Sequence, residues 1–225
     1  MQRIVALLTS LCLCPAVSAQ QESLALRTLA ISPGEFPQLW AMSASKAVKL
    51  EFSTVQPSEI YQLSGANPLP VYVGPLGEKG LPSDKAPAML KLPASNGVLL
   101  LGWMQGGLPK FMPIPDMPAA GKYNDWAVIN ATAKEVALQI GISTKPVILP
   151  AGSNQALRID APAGQGTPVI MASKEGQNWQ KFFSTYWPVQ SDQRCLIVVF
   201  QTADQLEAKQ IFENLDRSPP QKKTD

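Results

Sequence analysis

The chain has 225 residues, 45% hydrophobic and 16% charged, with a formal net charge of +2 and no histidine. That charge balance gives no pull toward nucleic acid or an anionic membrane. The missing histidine excludes Ser-His-Asp and Cys-His nucleophile systems, His-ligated zinc and two-His-one-carboxylate iron sites.

The first nineteen residues read as a cleaved secretory signal peptide. Met1-Gln-Arg3 is a short positive start, Ile4 to Cys14 is an uncharged apolar run, Pro15 breaks it, and Val17-Ser18-Ala19 places small residues before Gln20. Eleven apolar residues fall short of the roughly 20 needed to cross a bilayer. No later run reaches that length without charge, proline or glycine, so no transmembrane anchor is expected in the mature chain. A lipid-anchor reading wants a small residue before the acceptor cysteine, and Cys12 and Cys14 both follow leucine. The expected location is the periplasm or the cell exterior. Cleavage takes 19 of the 225 residues, leaves 206, and lowers the net charge to +1 with the loss of Arg3. Cys195 is then the only cysteine, so the mature chain has no intrachain disulfide and must be held by apolar burial.

Downstream, short apolar runs alternate with turn signals and 21 scattered prolines, the pattern of many strands and few helices. Ser23 to Ile31 reads as an extra strand ahead of the first repeat. Ala47 to Ser53 is the clearest strand, with Val48, Leu50 and Phe52 on one face and Lys49, Glu51 and Ser53 on the other. Glu135 to Ile140 repeats the alternation, and Leu157 and Ile159 alternate with Arg158 and Asp160. Turn signals stand at Asn96-Gly97, Gly106-Gly107, Ala151-Gly152 and Glu175-Gly176. Gly74 to Pro87 is the largest internal loop. Cys195 sits in Arg-Cys-Leu-Ile-Val-Val-Phe, a buried strand in which it serves as a small hydrophobe. Ala203 to Asn214 has some helix propensity, but Leu206, Ile211 and Phe212 make a poor helical stripe.

Two stretches resemble each other. Trp40 with Lys46, Val48 and Leu50 aligns with Trp126, Lys134, Val136 and Leu138 at separations of 86 and 88, as two Trp-headed hairpins. Leu99 to Trp103 aligns with Leu196 to Phe200 at a separation of 97. Both imply a tandem duplication. The expected fold is all-β: two tandem antiparallel β-sandwich modules of Ig-like architecture at 20–115 and 122–216. A proline-rich linker at 116–121 joins them, with Pro113 and Pro115 leading into it as an edge or extended segment. A disordered tail covers 217–225. A single larger barrel or sandwich is the alternative.

Little in the chain carries chemistry. Ser43-Ala-Ser-Lys46 matches the Ser-x-x-Lys pattern of some acyl-transfer enzymes. With 17 Ser and 14 Lys in 225 residues, about one such match arises by chance. Asn130-Ala-Thr132 is a glycosylation sequon. The 17 acids are spread thinly. Asp116 and Asp125 flank the linker, and Asp125 and Glu135 fall on neighbouring expected strands, but no spacing marks a catalytic pair. Neither a calcium loop nor a nucleotide loop is present, and no cofactor or metal is expected.

The strongest binding signal is aromatic: Asn178 to Pro188 holds five rings in eleven residues. Strict alternation puts Trp179, Phe183 and Trp187 on one face and Phe182 and Tyr186 on the other. One face packs inward, and the other would present rings to a protein or carbohydrate partner. The leading expectation is a non-enzymatic envelope or surface component that binds or assembles. A carbohydrate-binding module is the second reading, and a carboxylate-based hydrolase the third.

Overall fold

The computed structural model describes residues 23–32, 35–64, 67–77, 86–95, 97–105, 107–116, 125–159, 164–190, 193–202 and 205–214. The expected signal peptide, most of the linker, the tail, Asn96, Gly106 and the centre of the Gly74–Pro87 loop lie outside the described residues.

All regular structure among the described residues is strand. The first half of the chain holds β1 (Ser23–Ala30), β2 (Leu39–Ser43), β3 (Lys46–Leu50), β4 (Tyr61–Ser64), β5 (Leu69–Val73), β6 (Ala88–Leu90), β7 (Gly97–Gln105) and β8 (Leu108–Pro115). The second holds β9 (Asp125–Asn130), β10 (Val136–Ile140), β11 (Val147–Leu149), β12 (Asn154–Arg158), β13 (Gly166–Glu175), β14 (Asn178–Pro188), β15 (Gln193–Thr202) and β16 (Gln205–Asn214).

The strands form four four-stranded sheets. The first half gives β4-β1-β7-β8 and β3-β2-β5-β6; the second gives β12-β9-β15-β16 and β11-β10-β13-β14. Adding eight to each strand number of the first half reproduces the second. Neighbours run antiparallel except β1 with β7 and β9 with β15, which are parallel. The sheets are therefore not wholly antiparallel, as the sequence pattern had implied.

Residue registers repeat as well. Leu101 pairs with Met112 across the β7–β8 hairpin, and Val198 with Lys209 across β15–β16, each partner 97 residues on. The Ala30 N–H donates to the Ser53 carbonyl, and the Asn130 N–H to that of Ser153, each 100 residues on. The Leu99/Leu196 alignment thus falls on true counterparts. The Trp40/Trp126 alignment does not. Trp40 lies on β2, whereas Trp126 lies on β9, the counterpart of β1. Residues 126–140 are not a hairpin, because β9 and β10 belong to different sheets. The segment read as an extra strand is β1, a central strand flanked by β4 and β7.

Three apolar cores separate the four sheets. Leu24, Leu26, Val98 and Leu100 point into the first core, between β4-β1-β7-β8 and β3-β2-β5-β6. Trp126, Val128, Cys195, Ile197 and Val199 point into the last, between β12-β9-β15-β16 and β11-β10-β13-β14. The intervening residues on the same strands, Leu29, Leu99, Leu101, Ile129, Leu196 and Val198, meet in a middle core that joins the two halves. This is why β7 and β15 read as continuous apolar runs: each is buried on both faces. Fully burying such a side chain is worth roughly 1.5–3 kcal/mol relative to exposure, so the halves are held together by a real core and not only by their connection.

Local sequence explains several details. Pro109, Pro113 and Pro115 lie on the edge strand β8, where a missing N–H breaks no ladder bond on the free side. Residues 205–214 are strand and not helix, with Ala208 and Phe212 facing the last core and Ile211 the middle one. Gly102 interrupts β7 because a Cβ there would stand 2.6 Å from the Phe52 ring, which stacks on Phe36 at 4.8 Å between centroids.

Candidate binding face and a buried charge ring

The aromatic strand is β14, an edge strand of the outermost sheet. Its register against β13 shifts in the middle: Met171 opposes Phe183, but Ala172 opposes Lys181. Phe182 is the extra residue of a β-bulge, and the bulge reverses the inward–outward alternation on either side of it. Phe182, Phe183 and Trp187 all pack against the last core, where Trp187 meets Trp126 edge-on at 6.1 Å and Phe183 at 5.2 Å. Trp179 and Tyr186 turn outward, 43% and 64% exposed. This corrects both expected groupings, since strict alternation had put Trp179 with Phe183 and Trp187, and Tyr186 with Phe182.

The outward residues are fixed by their partners on β13. Trp179 stands opposite Lys174, Lys181 opposite Ala172, Ser184 opposite Ile170 and Tyr186 opposite Pro168. Val169, Met171 and Ser173, between them, are buried. The next strands add Ala137 beside Ala172, Gln139 beside Ile170, and Ile148 beside Ala137. The face is therefore a centre of Ile148, Ile170 and two alanines edged by Gln139, Lys181 and Ser184, with an exposed ring at each end. Lys174 to Pro168 is six strand residues, so the two rings are about 20 Å apart. Tyr186 lies over Gly166, where a Cβ would meet the ring at 2.1 Å. The Trp179 end carries two cross-strand ion pairs, Lys174–Glu135 at 2.6 Å and Lys134–Glu175 at 2.5 Å. Lys134 holds the Glu175 carboxyl below its usual range.

A second constellation was not found from the sequence. Arg27 on β1, Asp116 after β8, Arg194 on β15 and Glu213 on β16 close a ring of alternating charge at the margin of the middle core. Arg27 holds Asp116 through two bonds, 2.7 Å from Nε and 2.8 Å from Nη2, and also donates to Glu213. Arg194 donates to Glu213, 2.9 Å from Nε, and reaches Asp116 at 3.4 Å. Burial disfavours the charged forms of Arg27 and Asp116, but their mutual hydrogen bonds and charges outweigh it. Arg27 is held above, and Asp116 below, its ordinary pKa. Asp116 and Arg194 of the ring border a small crevice, which Asn154, Leu99 and Ile129 also line.

The remaining sequence candidates resolve into local structure. Asn130 of the sequon is fully buried. Its amide donates to the carbonyls of Lys134, Leu149 and Pro150 at 2.8–3.1 Å, and its side-chain oxygen accepts from the Thr132 N–H and hydroxyl. Ser43 and Lys46 face each other across the β2–β3 hairpin turn, where the Ser43 hydroxyl accepts from the Ser64 N–H. Cys195 is buried, and burial pushes its thiol up to about 12. Glu135 is spent on its ion pair with Lys174, and β9 and β10 are not neighbours, so Asp125 and Glu135 do not form the juxtaposition suggested by sequence. No group of three potential metal ligands occurs, and no helix is long and apolar enough to cross a membrane, among the described residues. No protein-family model matches the chain, and no curated protein matches it in sequence.

Proposed function

We propose that this chain is an exported, non-enzymatic β-sandwich protein: an envelope or surface component that binds another macromolecule. In this reading a signal peptide at 1–19 is removed, and two tandem modules of Ig-like architecture, 20–115 and 122–216, are joined at 116–121. The repeated strand order and the registers 97 and 100 residues apart support duplication.

The observation that carries the binding role is the outward face of β11-β10-β13-β14. A sheet face turned to solvent is ordinarily polar. This one exposes Trp179, Ile170, Ile148 and Tyr186, the aromatic and aliphatic composition of a protein contact patch. The rings are about 20 Å apart, a span that suits an extended partner and exceeds one sugar ring. The acid-pair reading gains no support at the ring of charges. Asp116 is held ionised by two arginines, whereas a general acid needs a raised pKa.

A photoreactive residue at Ile170, in the protein expressed in its own host, tests the reading. One discrete protein adduct is expected, lost in Trp179→Ala/Tyr186→Ala and unchanged in Met89→Ala on the opposite outer sheet. No adduct above background, or one indifferent to both rings, would refute the role of this face. Binding on a glycan array that Tyr186→Ala abolishes would favour the carbohydrate reading instead.

A further inference from the structure

The two halves meet through the same positions. Leu29 and Ile129, Leu101 and Val198, and Ile114 and Ile211 are counterparts under the repeat, and all six side chains lie in the middle core. The carboxylates of the charge ring are counterparts too: Asp116 moved on by 97 is Glu213, at the ends of the matched hairpins β7–β8 and β15–β16. A contact in which each body presents the same patch is isologous, the geometry of a two-fold homodimer.

The arginines are not counterparts. Arg27 corresponds to Ala127, and Arg194 to Gly97, which rests against Asp116. Each half nonetheless carries one arginine bonded to its own carboxylate, Arg27 to Asp116 and Arg194 to Glu213. Each half is thus neutral by itself at this margin. Any pairing of two halves brings two arginines to two carboxylates, and no combination leaves a buried charge unmatched.

We propose that the face made by β1, β7 and β8, and again by β9, β15 and β16, is a self-recognition surface, and that a half supplied by a second copy of this chain is its fitting partner. The protein is a fused homodimer of its own module, able to exchange halves between copies. The proposal rests on the two-module reading above.

The test uses the full chain with a specific protease site inserted between Ala120 and Gly121, cut after folding. Heavy-isotope and normal preparations are mixed at micromolar concentration and followed by native mass spectrometry. The expected result is retention of the uncut mass as a non-covalent pair, then mixed heavy–light pairs, then first–first and second–second pairs. Leu101→Asp, which puts a charge in the middle core, should weaken pairing at least about a hundredfold while circular dichroism stays strand-rich. Cut halves that stay strand-rich but separate, or that pair only as first with second, overturn self-recognition. Halves that lose strand signal on cutting overturn the two-module reading with it. Pairing that Leu101→Asp leaves unchanged overturns the assignment of the face.

Discussion

Asn130→Ala should destabilise the protein far more than its place in a turn sequence suggests. The side chain is fully buried at the crossover from β9 to β10. Of its five partners, four keep other bonds. The Pro150 carbonyl still accepts from Ser153, the Lys134 carbonyl from Thr132, and the Thr132 hydroxyl still donates to Lys134. The Leu149 carbonyl keeps its place in the ladder opposite Val136, so the Thr132 N–H is the group whose bond goes unreplaced. An unsatisfied buried polar group costs about 1–3 kcal/mol, so the loss should be about 1–3 kcal/mol. For a chain of this size that is a fall in Tm of about 2–12 °C.

Asn130→Asp is the sharper variant. It keeps the shape but turns an oxygen toward three carbonyls, so it should be worse than alanine at neutral pH and recover in part when protonated. Thermal unfolding of the three proteins at pH 7 and pH 4 reads both effects. An alanine variant within 0.5 kcal/mol of wild type, or an aspartate variant no worse than alanine, would refute the reasoning. The same burial predicts that the folded chain is not glycosylated at Asn130, which peptide mapping from a glycosylating host would check.

Other expectations follow from the ring, the thiol and the bulged strand. Arg27→Ala should cost about 2–4 kcal/mol, because Asp116 loses both close bonds and keeps only Arg194 at 3.4 Å, whereas replacing all four ring residues by Met and Leu should be near neutral; urea titration of both variants separates the two. Asp116 has a depressed folded pKa, so its contribution is present above the unfolded value near 4 and is lost as pH falls through the lower folded value. In Arg27→Ala the folded value lies closer to the unfolded one, so the acid-dependent loss from Asp116 should be smaller. Cys195 should resist thiol reagents in the native state and react only at the rate of unfolding, because it is both buried and protonated. Gly102→Ala should separate the stacked Phe36 and Phe52 rings and lower stability by about 1–3 kcal/mol.

Strand content was readable because half-buried strands alternate. Val48 and Leu50, and Val136 and Leu138, announce β3 and β10 directly. Strands buried on both faces do not alternate. β1 was set apart because Leu24 and Leu26 serve one core while Leu29 serves another. Counting it outside the repeat pushed the alignment of the hairpins one strand out of step. The aromatic face was misassigned for a similar reason, since one extra residue at Phe182 inverts every later side chain, and nothing in NWQKFFSTYWP marks the bulge. The charge ring was illegible because its members are 19 to 186 residues apart where they touch, and only Arg194 and Glu213 share a hairpin. A lone Asp after a proline strand and a lone Arg before an apolar one carry no local signal of each other.

Where recognition can occur on this molecule follows from what its own packing consumes. The inner faces of β1, β7, β9 and β15 are taken by the middle core. The edge at β8 is closed to strand addition by its prolines, and the edge at β14 is blunted by a bulge, Lys181 and Pro188. The outward face of each terminal sheet is also exposed, and here the two halves differ most. β5 and β6 have five and three residues, whereas their counterparts β13 and β14 have ten and eleven. Part of the extra length packs Phe182 and Trp187 against the last core, and the rest turns Trp179 and Tyr186 to solvent. Rings held outward add no core burial, so under the proposed binding role the long sheet, not the short one, is where a partner would dock.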